Sequence, residues 1–351
     1  MARISIAVAG LLLAVAVLIW SPRGGSVGTG ERPAGPSAAL LRTAKGTIWW
    51  VDRTCRIWQL HLPDGNRVRG GAGHCHVWPS PSGRVALASQ DDPQSPRPPA
   101  SLKLLARDGL HVVGVIGVRS DAVSPGVTWT PDSSAVAFCT EGGQRRAVEV
   151  VRVPAGSGLG VPGQQFARVV ERRCQPAFML DSSLATSDGR HVYLDARRLP
   201  VGRVLAHAIG GGPVDLGITA MAASPSGLVI TVARSLPLGF DEQALLVTVR
   251  RDGGLIRIDH PPRGVIDMIS ASPDGAWLSI EYAFSGQVRL IPLNARNLPA
   301  RVPEVTRSLA WSPDGRFVAV ALSGELRIVD LVTGASTSLS EVRPTSLAWT
   351  Q

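Results

Sequence analysis

Three features of the sequence predict an all-β fold of seven small antiparallel sheets set in a ring. A strand–turn–strand unit recurs at intervals of 40 to 51 residues, apolar runs alternate with turn formers, and the two chain ends carry complementary fragments of one further unit. With 44% hydrophobic residues against 38 glycines and 27 prolines, the chain has apolar surface for a sizeable core and turn formers to interrupt it often.

The clearest unit runs from Leu309 through Trp311-Ser312-Pro313-Asp314-Gly315 to Phe317 and Leu322, then through Ser323-Gly324 to Glu325–Leu331 and Thr333-Gly334. Proline presets φ early in the turn, aspartate bonds its own backbone and glycine accepts positive φ, so Ser-Pro-Asp-Gly is a turn with a mechanism. The Val-, Ile- and Leu-rich segments after it read as buried strands. Copies stand at Ala271-Ser-Pro-Asp-Gly275, Ala223-Ser-Pro-Ser-Gly227, Trp129-Thr-Pro-Asp-Ser133 and Trp78-Pro-Ser-Pro-Ser-Gly83, with a degenerate one at Phe178-Met-Leu-Asp181-Ser182. The residues before the turns fall at 78, 129, 178, 223, 271 and 311, giving gaps of 51, 49, 45, 48 and 40, the spacing of one four-stranded blade per unit.

Ser346-Leu-Ala-Trp349-Thr350 repeats the opening of the unit at the carboxyl end. The missing strands stand at the other end, in Thr47–Val51 and Cys55–Leu62, followed by Pro63-Asp-Gly65. One blade is therefore expected to be assembled from both ends, which removes the free sheet edges of an open arc. Six internal units plus this composite predict a seven-bladed β-propeller. These residues resemble the TolB-type and WD-like propeller repeats, over about residues 45–351. The resemblance implies architecture and not activity, because one fold hosts many functions. TolB proteins carry an extra α/β domain before the propeller for which the tether here has no room, so their partners do not carry over.

Residues 1–20 are expected to be a membrane anchor or signal segment, 21–44 a flexible linker and 45–351 the propeller. Ile4 to Trp20 is an apolar run broken only by Ser5 and Gly10, at the lower length limit for a transmembrane helix. Leu18, Ile19, Trp20, Ser21, Pro22 and Arg23 follow in place of a small-x-small cleavage site, which favours an uncleaved single-pass anchor over a secreted product. Both readings place the propeller outside the cytoplasm. The glycines and prolines between Ser21 and Ala44 read as a tether.

The formal charge of +9 is carried almost wholly by arginine, and Lys45 and Lys103 are the lysines. Such a field favours polyanions, yet no basic block with interleaved aromatics appears, so nucleic acid is not expected as a partner. Four cysteines allow three pairings. The repeat frame places Cys55 with Cys75, and Cys139 with Cys174, each joining a second-to-third-strand hairpin to a neighbouring blade-connecting loop. Oxidising conditions outside the cytoplasm preserve such bonds. The alternative, a metal site of Cys55, His74, Cys75 and His76, does not match zinc spacing.

No nucleophile elbow, zinc-protease helix or phosphate-cradling loop occurs. His61, His111, His191, His207 and His260 are scattered, while Asp132, Asp181, Asp274 and Asp314 are assigned to turn bonding. No catalytic, cofactor-binding or metal residue is therefore assigned. The binding rim is placed where connecting loops converge on the channel, at Arg168, Arg172 and Arg173 with His74 and His76. The expected function is a non-enzymatic, monomeric binding scaffold of the cell envelope, recognising an envelope protein or an anionic envelope polymer. The alternatives are a hydrolase or lyase with catalytic groups in the channel, marked by two close carboxylates with perturbed pKa values, and an oxidoreductase propeller with a bound cofactor.

Overall fold

A computed structural model describes residues 36–89, 101–117, 122–142, 145–153, 163–170, 176–201, 216–236, 239–240, 244–283, 285, 287–293, 308–322, 324–340 and 342–351. They form seven antiparallel sheets. Blade 1 comprises β1 (Gly46–Asp52), β2 (Arg56–Leu62) and β3 (Asn66–Ala72), and blade 2 β4 (His76–Pro79), β5 (Val85–Ser89), β6 (Ser101–Ala106) and β7 (Val112–Gly117). Blade 3 holds β8 (Ala122–Trp129), β9 (Ala135–Gly142), β10 (Arg145–Arg152) and β11 (Gly163–Val170); blade 4 holds the short β12 (Ala177–Phe178), β13 (Leu184–Ser187), β14 (Val192–Leu194) and β15 (Arg197–Arg198). In blade 5, β16 (Leu216–Ser224), β17 (Gly227–Leu236), β19 (Leu245–Val249) and β20 (Leu255–Asp259) follow in order, with β18 (Gly239–Phe240) paired to the end of β17. Blade 6 shows β21 (Ile266–Ala271), β22 (Trp277–Tyr282) and β23 (Val288–Pro292), and blade 7 shows β24 (Ser308–Trp311), β25 (Phe317–Leu322), β26 (Glu325–Asp330) and β27 (Ser336–Ser340).

The last strand, β28 (Pro344–Thr350), completes blade 1 as its innermost strand, in the order β28-β1-β2-β3. The register pairs Thr47 with Thr350, Ile48 with Trp349 and Trp50 with Leu347. Both chain ends thus enter one core with blade 7, where Ile48, Trp50, Leu347 and Trp349 pack with Phe317, Ala319 and Ile328. The indole of Trp349 lies 6.3 Å from the Phe317 ring and donates to the Lys45 carbonyl at 2.9 Å. The expectation of a ring closed by both termini holds.

The recurring turn works as its residues dictate. Ser312 N donates to Phe317 O at 2.9 Å, Gly315 sits at φ +73°, and Asp314 Oδ1 accepts from Ser312 Oγ at 2.6 Å and from Arg316 N at 3.1 Å. Asp132, Asp181 and Asp274 likewise accept the backbone N–H two residues further on in their blades, so they are turn residues and not an acidic ring. Tryptophans at the end of inner strands join blade to blade: Trp129 Nε1 donates to Trp78 O at 3.0 Å and Trp311 Nε1 to Ser270 Oγ at 3.2 Å. Second strands sit between two neighbouring blades, and Phe317 to Ala321 are accordingly buried without a break.

Two expectations change. Pro36–Thr43, counted within the flexible linker, forms a helix, α1, whose Leu40 and Leu41 join the blade 1 and blade 7 core; apolar side chains with a place to bury order a segment that composition reads as loose. Among the described residues no helix is long and apolar enough to cross a membrane. The expected transmembrane helix, Ile4 to Trp20, lies outside the described residues and draws no support from the fold.

Candidate functional site: an arginine and tryptophan pocket on the closing blade

Each blade presents its first-to-second and third-to-fourth strand turns on one face of the ring, the turn face. Its second-to-third strand turn and the loop to the next blade lie on the other, the loop face. On the loop face, where the chain ends meet, Trp50, Asp52, Arg53, Thr54, Trp58 and Arg67 from one end and Val342 and Arg343 from the other line a cavity of about 270 Å³.

Register builds its floor. Trp50 on β1 is directly opposite Trp58 on β2, and their rings lie 6.1 Å apart and 10° from parallel. The Arg67 guanidinium is laid over them, 4.3 Å from the Trp58 centroid and 5.3 Å from that of Trp50. Cation–π attraction of this kind fixes the plane of the guanidinium and leaves its N–H edges to the cavity. Asp52 is fully engaged: Oδ1 accepts from Thr54 N at 2.8 Å, Thr54 Oγ1 at 2.6 Å and Arg56 N at 3.2 Å, and Oδ2 from Trp58 Nε1 at 2.8 Å. Burial pushes its carboxyl up, but these bonds outweigh burial and hold it below the usual carboxylate range, so it stays ionised. Arg53, Arg67 and Arg343 are exposed, and none makes an ion pair or side-chain hydrogen bond among the described residues. Three guanidiniums without an ion pair among the described residues thus border one cavity, and an anion would satisfy their donors.

The expected Cys55–Cys75 disulfide is formed and spans 20 residues of sequence. It pins the turn that carries Arg53: Cys55, at φ +54°, donates its N–H to Asp52 O at 3.0 Å and accepts from His74 N at 2.9 Å. With both sulfurs oxidised, neither can serve as a thiolate ligand, and among the described residues no group of three His, Cys, Asp or Glu side chains could hold a metal. Cys139 is buried and also disulfide-bonded; Cys174, its expected partner, lies outside the described residues.

Of the rim foreseen in the sequence, Arg168, His74 and His76 fall among the described residues. Arg168 falls within β11, the outermost strand of blade 3, opposite Val148 and away from the channel. Arg172 and Arg173 lie outside the described residues. His74 is buried, with Nδ1 unbonded, and burial followed by the charge of Lys103 lowers its pKa, so it is a neutral packing residue near the staple. His76 stacks on Trp78 with centroids 5.6 Å apart.

Two further features compete with the pocket. At the loop-face end of the blade 6 inner strand, a bulge sets Asp267 between Ile266 and Met268, and Met268 pairs with Glu281. Burial, and then the charge of Asp267, raise the Glu281 pKa. On the turn face, a cavity of about 500 Å³ opens between blades 4 and 5, lined by Met179, Leu180, Asp181, Pro225, Arg250, Arg251 and others. Its arginines are spent within it, Arg251 on Asp181 and Arg250 on Asp252 at 3.7 Å. The smaller pocket therefore carries the stronger unmet charge.

No protein-family model matches the sequence, and no curated sequence matches it. Solved structures do. The β-propeller domain of Cps50 (Swd1) from Myceliophteria thermophila superposes with a TM-score of 0.51 at 14% identity, over 78% of this chain and 88% of that one. A 6-phosphogluconolactonase candidate from Bacteroides uniformis gives 0.55 at 13%, over 87% and 99%, and the periplasmic gluconolactonase of Pseudomonas aeruginosa gives 0.55 at 15% over the same shares. At such identities the likeness shows the fold alone. It bears on the propeller and WD-like part of the resemblance and leaves the TolB-type part without support. The expectation that the chain is not an enzyme is overturned, because proteins described as a 6-phosphogluconolactonase candidate and a periplasmic gluconolactonase share this fold. The chain is an all-β, seven-bladed propeller closed by its own two ends.

Proposed function

We propose that this chain is an extracytoplasmic propeller, tethered to the membrane through Ile4 to Trp20, that recognises an anionic component of the cell envelope in the Arg53, Arg67 and Arg343 pocket. The observation that carries the reading is the trio of arginines around one cavity, unneutralised among the described residues, on a floor fixed by Trp50 and Trp58. The apolar N-terminal segment and the oxidised cysteines support a place outside the cytoplasm. Charge-assisted hydrogen bonds from arginine contribute roughly 1.5–3 kcal/mol each. Titrating polygalacturonate into the full chain in zwitterionic detergent should therefore quench tryptophan fluorescence saturably, and the double variant Arg53→Ala/Arg343→Ala should bind at least about tenfold more weakly. Unchanged affinity in that variant would exclude the pocket.

A second reading rests on Glu281. A carboxyl whose pKa is raised by burial and by the neighbouring charge of Asp267 is better equipped to donate a proton to a leaving oxygen, which is hydrolase chemistry on the loop face. A raised carboxyl pKa means that the folded state binds the proton more tightly than the unfolded chain, so stability falls as pH rises above the unfolded value near 4.5. Glu281→Gln should therefore unfold at a higher temperature than the native chain at neutral pH, with the gap closing below about pH 4.5. If the reading is right, the same variant loses any lactone- or ester-hydrolysing activity of the native protein; retained activity would remove Glu281 from the chemistry.

A further inference from the structure

We infer that the group bound in the closing-blade pocket is a dianionic phosphate monoester, and that its binding locks the ring; the inference rests on the anion-binding reading above and names the ligand class of that site.

Charge, size and donor geometry point the same way. Three arginines and one ionised aspartate line the cavity, a formal +2 that one dianion neutralises and one carboxylate does not. Each water occupies about 30 Å³ of liquid, so 270 Å³ holds a phosphoryl group with a small polyol, and admits only a terminal or pendant group of a polymer. A phosphate offers three acceptor oxygens to three guanidiniums, whereas a carboxylate offers two. Asp52 accepts four hydrogen bonds from its own turn and from Trp58, so it does not compete for the arginines and stands as a negative wall that turns the ligand's anionic end away from it.

The location supplies the second half of the inference. Arg53 and Arg67 follow the first strand of the chain, and Arg343 precedes the last. A phosphate bonded to both sets ties the two ends of the polypeptide across the pairing of β1 with β28, the joint that closes the ring. Binding to the closed ring alone stabilises it by mass action.

The test uses the full chain in zwitterionic detergent, titrated with glycerol 3-phosphate, phosphorylated dextran, gluconate and polygalacturonate, and read by tryptophan fluorescence and by the thermal midpoint. Glycerol 3-phosphate should bind at least about tenfold more tightly than gluconate and raise the midpoint. Its affinity should fall by about tenfold between about pH 7.5 and pH 5, as the phosphate loses its second charge near pH 6. Arg343→Ala should abolish the thermal shift. Equal binding of gluconate, a pH-independent affinity or an unaffected Arg343→Ala variant would overturn the inference. Binding of free glycerol 3-phosphate assigns the site to a small ligand, and binding of phosphorylated dextran alone assigns it to a polymer; both support the phosphate class. Polygalacturonate that binds through Arg53 and Arg343 while phosphates do not would leave the anion reading standing and overturn this one. Failure of every anion would end both.

Discussion

Trp349→Ala is expected to destabilise the folded chain by about 3–5 kcal/mol, the cost of emptying a buried tryptophan site. The residue is 8% exposed, packs on Phe317 of blade 7, pairs in register with Ile48 and donates its indole N–H to the Lys45 carbonyl. Because a domain is stabilised by only about 5–15 kcal/mol in all, the variant should sit near the edge of folding, with a large drop in denaturant midpoint. Trp349→Phe, which keeps most of the packing and loses the hydrogen bond, should recover the greater part. Leu180→Ser offers the contrast: Leu180 is 65% exposed on a turn, and its loss should change stability by no more than about 0.5 kcal/mol. A Trp349→Ala variant as stable as the Leu180→Ser one would mean that β28 does not hold the ring.

Cys55→Ser/Cys75→Ser should cost about 3 kcal/mol, the chain-entropy value for a loop of this length, in which the bond spans 20 residues. A purely structural bridge would stop there. Here the bond also anchors the Asp52–Cys55 turn, so Arg53 loses its fixed position, and anion affinity should fall even under conditions where the variant remains folded. Isothermal titration of the folded variant with the best anion separates the two effects. Full affinity after loss of the bridge would show that the staple supports the fold and not the pocket.

The ring was legible in the sequence because its cause is local. Ser-Pro-Asp-Gly turns and the Val- and Ile-rich strands after them act within a dozen residues, and the matching fragments at Thr47–Leu62 and Ser346–Thr350 expose the closure without any long-range calculation. Cys55 with Cys75 was legible for the same reason, since the repeat frame alone sets which loops share a face. The pocket was not. Arg343 and Arg53 are 290 positions apart, and neither stands in a motif; only the pairing of β28 with β1 brings them to one cavity. The cluster of Arg168, Arg172 and Arg173 drew attention because it is dense in sequence, yet strand β11 carries Arg168 on the outermost strand of its blade. His74 and His76, which flank Cys75 and were placed on the binding rim, are found one buried and one stacked on an indole. A signal for the proposed pocket did exist: Trp50 and Trp58 on paired strands, with Arg53 in the turn between them, at the blade that the ends share. Glu281 was invisible because burial beside a bulged Asp267 follows from packing and not from spacing.

Hydrogen exchange resolved to single amides tests the closure most directly. If both chain ends complete one sheet, the amides of 46–51 and 346–350 that bond across β1 and β28 should exchange only through global unfolding, at one common rate and as slowly as those of β25. Fast exchange confined to 344–351, with the other blades still protected, would show an open ring and contradict the account.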